Sequence, residues 1–199
     1  MLVARPRRTT AVALAASIAL LAPAAAHAAG TGCPGADTLP GQGSPAAAQS
    51  TTLCLMNSER ASRGLVALRA QPVLAAAAGG YASEMVGEQF FAHTSPRGST
   101  VLSRVRASAY LRGAINWSVG ENIAWGSGTL GTPRAIVQAW MESPGHRANL
   151  LSACFRDAGV GIATGAPTQT QDTPGATYVT DFGRRSARRC TAGAARIAH

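Results

Sequence analysis

The stretch Trp140-Met141-Glu142-Ser143-Pro144-Gly145-His146-Arg147-Ala148-Asn149-Leu150-Leu151 joins a helix to an abrupt break and sets a histidine just beyond it. Upstream, Thr132-Pro133 pairs a capping residue with a proline suited to the first helical turn. Ile136, Val137, Trp140 and Met141 then recur on one face, so the helix has a side to bury. It stops before Pro144, because the residue preceding a proline is pushed out of the helical region. Ser-Pro-Gly therefore presents His146 at a fixed place.

Working outward, three more helices follow from periodicity. The first spans about Thr51 to Arg63 and ends at Gly64, a natural C-terminal residue for a helix. The second starts at Pro72, with Leu74, Ala78, Tyr81 and Met85 on one face. The third follows Ser99-Thr100 and carries Val101, Leu102, Val105 and Ala109 as its stripe. Glu121–Trp125, Ala158–Ala163 and Thr177–Phe182 read as strands, the last two joined by an irregular loop over Thr164–Gly175. Helices first and strands late, with no βαβ repeat, argue for an α+β sandwich over a doubly wound sheet.

The ends of the chain differ from this body. Arg5, Arg7 and Arg8 precede an apolar run from Ala11 to Leu21, and Ala26-His27-Ala28 supplies small residues for cleavage. Residues 1–28 thus read as a secretory signal peptide. The apolar run of about 11–16 residues is shorter than the ~20 needed to span a bilayer. Gly30–Ser50 holds five Gly and three Pro with little periodicity, so 29–50 reads as a linker. The folded domain is expected over 51–183, with a basic tail over 184–199.

Of the 199 residues, 46% are hydrophobic and 14% charged, which suits a packed globule and excludes a disordered polyampholyte. Cleavage after Ala28 leaves 171 residues with 15 Arg against 9 acids, a net +6. Between Ala29 and Gly183, 10 Arg nearly balance the 9 acids. The surplus lies in Arg184, Arg185, Arg188, Arg189 and Arg196, a tail that either solubilises the chain or touches an anionic envelope. Nucleic acid is a poor partner for an exported chain without basic–aromatic interleaving. A single secreted domain is read as a monomer. Four cysteines in an oxidising compartment imply two disulfides with three possible connectivities. The favoured pairing is Cys33–Cys54 with Cys154–Cys190, each clipping a terminal segment onto the body.

Three places hold a polar residue in a defined setting: His93 in the Phe90–Gly98 turn, Glu121 after Gly120, and His146 after the helix break. Two His and a carboxylate are donor types for a zinc-like divalent cation and equally for acid–base work. The spacings of 28 and 25 residues match no local metal signature, a single His is more often a hydrogen-bonded structural residue than a ligand, and spacing alone does not decide between them. There is no GxSxG elbow, P-loop or CxxC pair. Oxidised cysteines exclude a thiol nucleophile.

Taken together and in order, several motifs resemble the CAP superfamily of cysteine-rich secretory, antigen 5 and pathogenesis-related proteins, in its short bacterial branch. They are Asn57-Ser58-Glu59-Arg60, Phe91-Ala92-His93-Thr94-Ser95-Pro96, Gly120-Glu121-Asn122-Ile123-Ala124, Trp140 through Leu151, Val160-Gly161 and Thr180-Asp181-Phe182-Gly183. The resemblance implies a three-layer α–β–α sandwich with a small antiparallel sheet. It also implies a cleft lined by two His and two Glu, often holding a divalent metal. His93, His146 and Glu121 match three of those positions. Ser143 stands where longer members carry the second Glu, and Glu142 lies about 100° away around a helix. The resemblance implies a secreted binding module for a lipid or cell-envelope component, with His93 and His146 holding zinc or another divalent cation and Glu121 and Glu142 lining the cleft. The enzymatic alternative is a metal-assisted hydrolase with Glu121 as base.

Overall fold

The structure, a computed structural model, describes residues 32–168 and 174–186. The signal-peptide segment 1–28, Cys190 and tail residues 187–199 lie outside the described residues. Among the described residues five α-helices, α1 (Pro45–Ala61), α2 (Pro72–Glu88), α3 (Val101–Ala107), α4 (Pro133–Glu142) and α5 (Pro144–Leu150), pack on one sheet. Its strands are β1 (Arg69–Ala70), β2 (Asn116–Ser127), β3 (Asp157–Thr164) and β4 (Gly175–Ser186), in the order β1-β3-β4-β2. β2 and β3 each pair antiparallel with β4, while the two-residue β1 adds a parallel edge to β3. The α–β–α sandwich is thus present, with a short parallel addition to the antiparallel sheet.

The two faces of the sheet are packed differently. On one, Leu55 and Met56 of α1, Ile136, Val137 and Trp140 of α4, and Leu150 of α5 close over Val160, Tyr178 and Phe182. On the other, Ala78, Tyr81, Ala82 and Met85 of α2 pack on Ile123 and Val179. There α2 lies directly against β3, because a Cβ at Gly159 or Gly161 would run into the backbone of Leu74–Ala75 or Ala78–Gly79. All four residues expected on the buried face of α2 are fully covered.

Residues 32–50 correct the linker expectation. Ser44 caps α1 by accepting from Ala47 N, and Pro45 takes the first turn, so the helix begins six residues before Thr51. Ahead of it the chain is pinned by Cys33–Cys54 and by Thr51 Oγ1 donating to Pro34 O at 2.6 Å. Arg134 adds a two-pronged bond to Asp37. Cys33, Ala36 and Leu39 are buried. The Gly and Pro residues here shape turns in a docked arm. The tail boundary also moves, since Arg184, Arg185 and Ser186 continue β4. Cys154 is disulfide-bonded as well.

Arg60 and Asn57 act as staples. Arg60 is fully buried and donates to Val66 O, Leu150 O and Ser152 O, tying α1 to the end of α5. Asn57 exchanges two bonds with the backbone of Leu68. A buried guanidinium is tolerable when its donors find carbonyls in this way.

Candidate functional site

Glu121 sits in β2 between Gly120 and Asn122, with no exposed surface. Its two carboxylate oxygens are both engaged. His93 Nδ1 donates to Oε1 at 2.7 Å, and Arg104 of α3 donates to Oε2 at 2.7 Å. Arg104 also donates to the carbonyls of His93 and Ser99, and its guanidinium lies 3.2 Å from the centroid of the Tyr81 ring. Tyr81 in turn donates to Ala92 O at 2.7 Å. The loop carrying His93 is therefore held by a charged cluster from α2, α3 and β2. Burial is the main cause that pushes the Tyr81 phenol up to about 12.

His146 is held by different means. α5 starts at Pro144 immediately after α4, and His146 lies in its first turn with Nδ1 2.9 Å from Ser143 Oγ. Periodicity does not reveal this second short helix, which restarts where the proline that ends α4 becomes the first residue of the next. Asn122 donates to His146 O at 2.9 Å, and Asn149 donates to Glu121 O and Asn122 Oδ1. This amide relay fastens α5 to the strand that carries Glu121. Burial first, and then the proximity of His93, push the His146 imidazole below its ordinary range. At neutral pH it is an uncharged nitrogen base.

The structure thus brings His93 and Glu121 into direct contact and places His146 near them, with Ser143 as its neighbour. It does not bring in Glu142, which is exposed at the end of α4 and accepts from Gln138. One helical step separates Glu142 from Ser143, and that step turns its side chain to solvent.

Two participants are missed by sequence reasoning. Arg104 falls on the inner side of α3, between Val101 and Val105, where an apolar stripe would have Leu102 instead; Leu102 is only half-buried and Ala109 lies beyond the helix end. Asp181 is the direct ladder partner of Glu121 across β2 and β4, and it is fully buried. Neither of its oxygens has a partner of good hydrogen-bond geometry among the described residues. Burial and the like charge of Glu121 push its carboxyl well above the usual range. An acid in the otherwise uncharged run Tyr178–Phe182 was the available signal, but its facing residue depends on strand register.

For a metal, the donor set is two imidazoles. Each commits Nδ1 within the protein, the arrangement that orients a metal-binding histidine through its second nitrogen. The donor set by residue type is thus two imidazole nitrogens, with Glu121 already bound to His93 and Arg104. Among the described residues no group of three or more His, Cys, Asp or Glu is placed to hold a metal ion.

A sandwich of this topology, with a His–Glu pair and a second His from the helix facing the Glu strand, is the arrangement that the resemblance to CAP, or SCP, domains implies. Residues 53–182 match the cysteine-rich secretory protein family, CAP, and the chain belongs to that family. The uncharacterized protein YkwD of Bacillus subtilis is 33% identical over 117 residues, covering 59% of this chain and 43% of its own length. The uncharacterized membrane protein YlbC of the same organism is 31% identical over 111 residues, 55% of this chain and 30% of its own. The chain spans less than half the length of either relative. An extracellular SCP-domain protein from Bacillus anthracis superposes with a TM-score of 0.57 at 28% identity, covering 71% of this chain and 41% of that one. An outer surface protein from Borrelia burgdorferi shares the fold at a TM-score of 0.51 and 22% identity, covering 67% and 90%. No described helix is long and apolar enough to cross a membrane.

Proposed function

We propose that this CAP domain is a secreted binding module for a lipid or cell-envelope component, with a weak divalent-metal site at His93 and His146. The observation that carries the reading is the burial of Glu121 between His93 and Arg104. With one oxygen on His93 and the other on Arg104, and no exposed surface, its carboxylate is committed to holding the two sides of the cleft. A carboxylate held in this way positions His93 and Arg104, which suits a binding cleft better than an exposed general base. The His residues remain as recognition groups, and a bound divalent ion would supply a positive centre between them.

A groove of about 390 Å³ between α2 and α3 adds support for an apolar ligand. Val73, Ala76, Ala77 and Ala107 line it, and the same Arg104 and Tyr81 that hold the cleft network lie at its side. Pockets that accept lipid-like molecules combine such apolar walls with a few fixed polar groups.

The test is the intact mass of the secreted protein, native and denatured, prepared without chelator. The native protein is expected to carry added mass from a lipid or one divalent ion, lost in the His93→Ala, His146→Ala variant for the ion. Zinc should raise the melting temperature at neutral pH by mass action and lose that effect below about pH 5–6, where imidazoles protonate. A bare native mass together with no response to zinc or to envelope lipid extract overturns the reading.

A further inference from the structure

At the end of the sheet where β2 and β3 begin and β4 finishes, three arginines line one cavity of about 300 Å³ that includes neither histidine. Arg69 comes from β1, Arg112 from the turn after α3, and Arg185 from the end of β4; Gly113, Ala114, Ile115, Asp157 and Ser186 complete the walls. The single acid is already matched. Asp157 takes Arg69 at 2.8 Å on one oxygen and the Tyr110 hydroxyl at 2.6 Å on the other. Among the described residues, no carboxylate lies within ion-pair distance of Arg112 or Arg185.

Arg185 is positioned without being consumed by a carboxylate. The Arg185 guanidinium rests 4.9 Å from the Tyr110 ring centroid, and Arg106 rests 5.7 Å from that of Trp117. Stacking on an aromatic face fixes a guanidinium and leaves its N–H donors for an anion. Beside the pocket the surface turns apolar. Ile115 is 84% exposed on the rim, and Trp117, two residues on and paired in register with Arg185, is 39% exposed. Unmatched arginines next to a bare isoleucine and tryptophan complement a surface that is anionic at one depth and apolar just below.

We propose that this pocket binds the phosphodiester headgroup of an anionic phospholipid, with Ile115 and Trp117 entering the boundary of the acyl region. The site is separate from the His93–His146 cleft and does not depend on what that cleft holds. Arg112 and Arg185 supply forked donors for the phosphate oxygens, a geometry that guanidinium matches better than ammonium.

Co-sedimentation of the full secreted chain with phosphatidylcholine vesicles, with and without phosphatidylglycerol, tests this. Binding is expected only with phosphatidylglycerol present. The Arg112→Gln, Arg185→Gln double variant should bind roughly thirtyfold more weakly, from about fivefold per arginine near an anionic surface. Ile115→Ser should weaken binding about threefold or more, as lost burial of an apolar side chain at the interface requires. Both changes lie at exposed positions, so unchanged melting temperatures show that folding is intact. Because Arg188, Arg189 and Arg196 also carry charge, the double variant is repeated with those three changed to Gln, and the same loss is expected. Vesicle binding that survives the pocket variant, or that vanishes only with the tail variant, overturns the proposal. Competition by glycerol phosphate with no effect of Ile115→Ser also overturns it, and assigns the pocket to a soluble phosphate.

Discussion

The two cleft histidines are held in opposite ways. His93 stands on a buried charge cluster, in which Glu121, Arg104 and the Tyr81 ring lock a loop between helices. His146 stands on neutral groups, a serine hydroxyl and an amide relay through Asn122 and Asn149. A buried charge left unpaired costs about 3–5 kcal/mol, whereas a stranded buried neutral group costs about 1–3 kcal/mol and a partly exposed hydroxyl less. One side of the cleft is therefore rigid because disturbing it is expensive, and the other is adjustable.

Removing Arg104 should produce the largest effect. Arg104→Met leaves Glu121 buried with one oxygen unpaired and should cost about 3–5 kcal/mol in chemical denaturation. A loss under about 1 kcal/mol would mean that the charge cluster does not anchor His93. Next comes Asn149→Ala, which strands the Glu121 carbonyl and Asn122 Oδ1 and should cost about 1–3 kcal/mol. Ser143→Ala, on the adjustable side, should cost about 1 kcal/mol or less. If Ser143→Ala rivals Arg104→Met, the asymmetry is wrong. Glu142→Ala should change stability by no more than about 0.5 kcal/mol, as befits an exposed residue outside the cleft.

Acid sharpens the same contrast. Folded His146 binds its proton less readily than an unfolded histidine, whose pKa is near 6.5. Between those two values the unfolded chain carries more protons, so stability falls as pH drops below 6.5 toward the folded value. His146→Gln should flatten that part of the stability profile measured by urea unfolding at successive pH. An unchanged profile would show that His146 is not the group responsible. Asp181 acts in the opposite sense. Its carboxyl is held above the usual range when folded, so its contribution is present in acid and lost as pH rises through the folded value.

Much of this arrangement is legible in the residues alone. The apolar face of α2, the caps of α3 and α4, and cores of all three long strands follow from local periodicity and turn chemistry. Membership of the family is legible because six short motifs fall in one order. What stays hidden depends on contacts between distant segments. The role of Arg104 needs a carboxylate 17 residues away, and that of Asp181 needs the β2–β4 register. A one-residue slip would turn Asp181 to the other face. The 32–50 segment misleads for a related reason. Glycine and proline mark the absence of regular periodicity, and they are silent on whether a turn is docked. Here docking comes from Cys54, Thr51 and Arg134, all outside the segment.

The Cys33–Cys54 bond closes a loop with a sequence separation of 21. Its consequence is mechanical. A pull on the chain upstream of Cys33 passes through the sulfur bridge to Cys54 in the middle of α1, and the intervening residues carry no tension. The docked arm, with Asp37 on Arg134 and Leu39 in the core, is spared while the bond lasts. Reduction would reroute the same force through the arm and peel it from the domain one contact at a time.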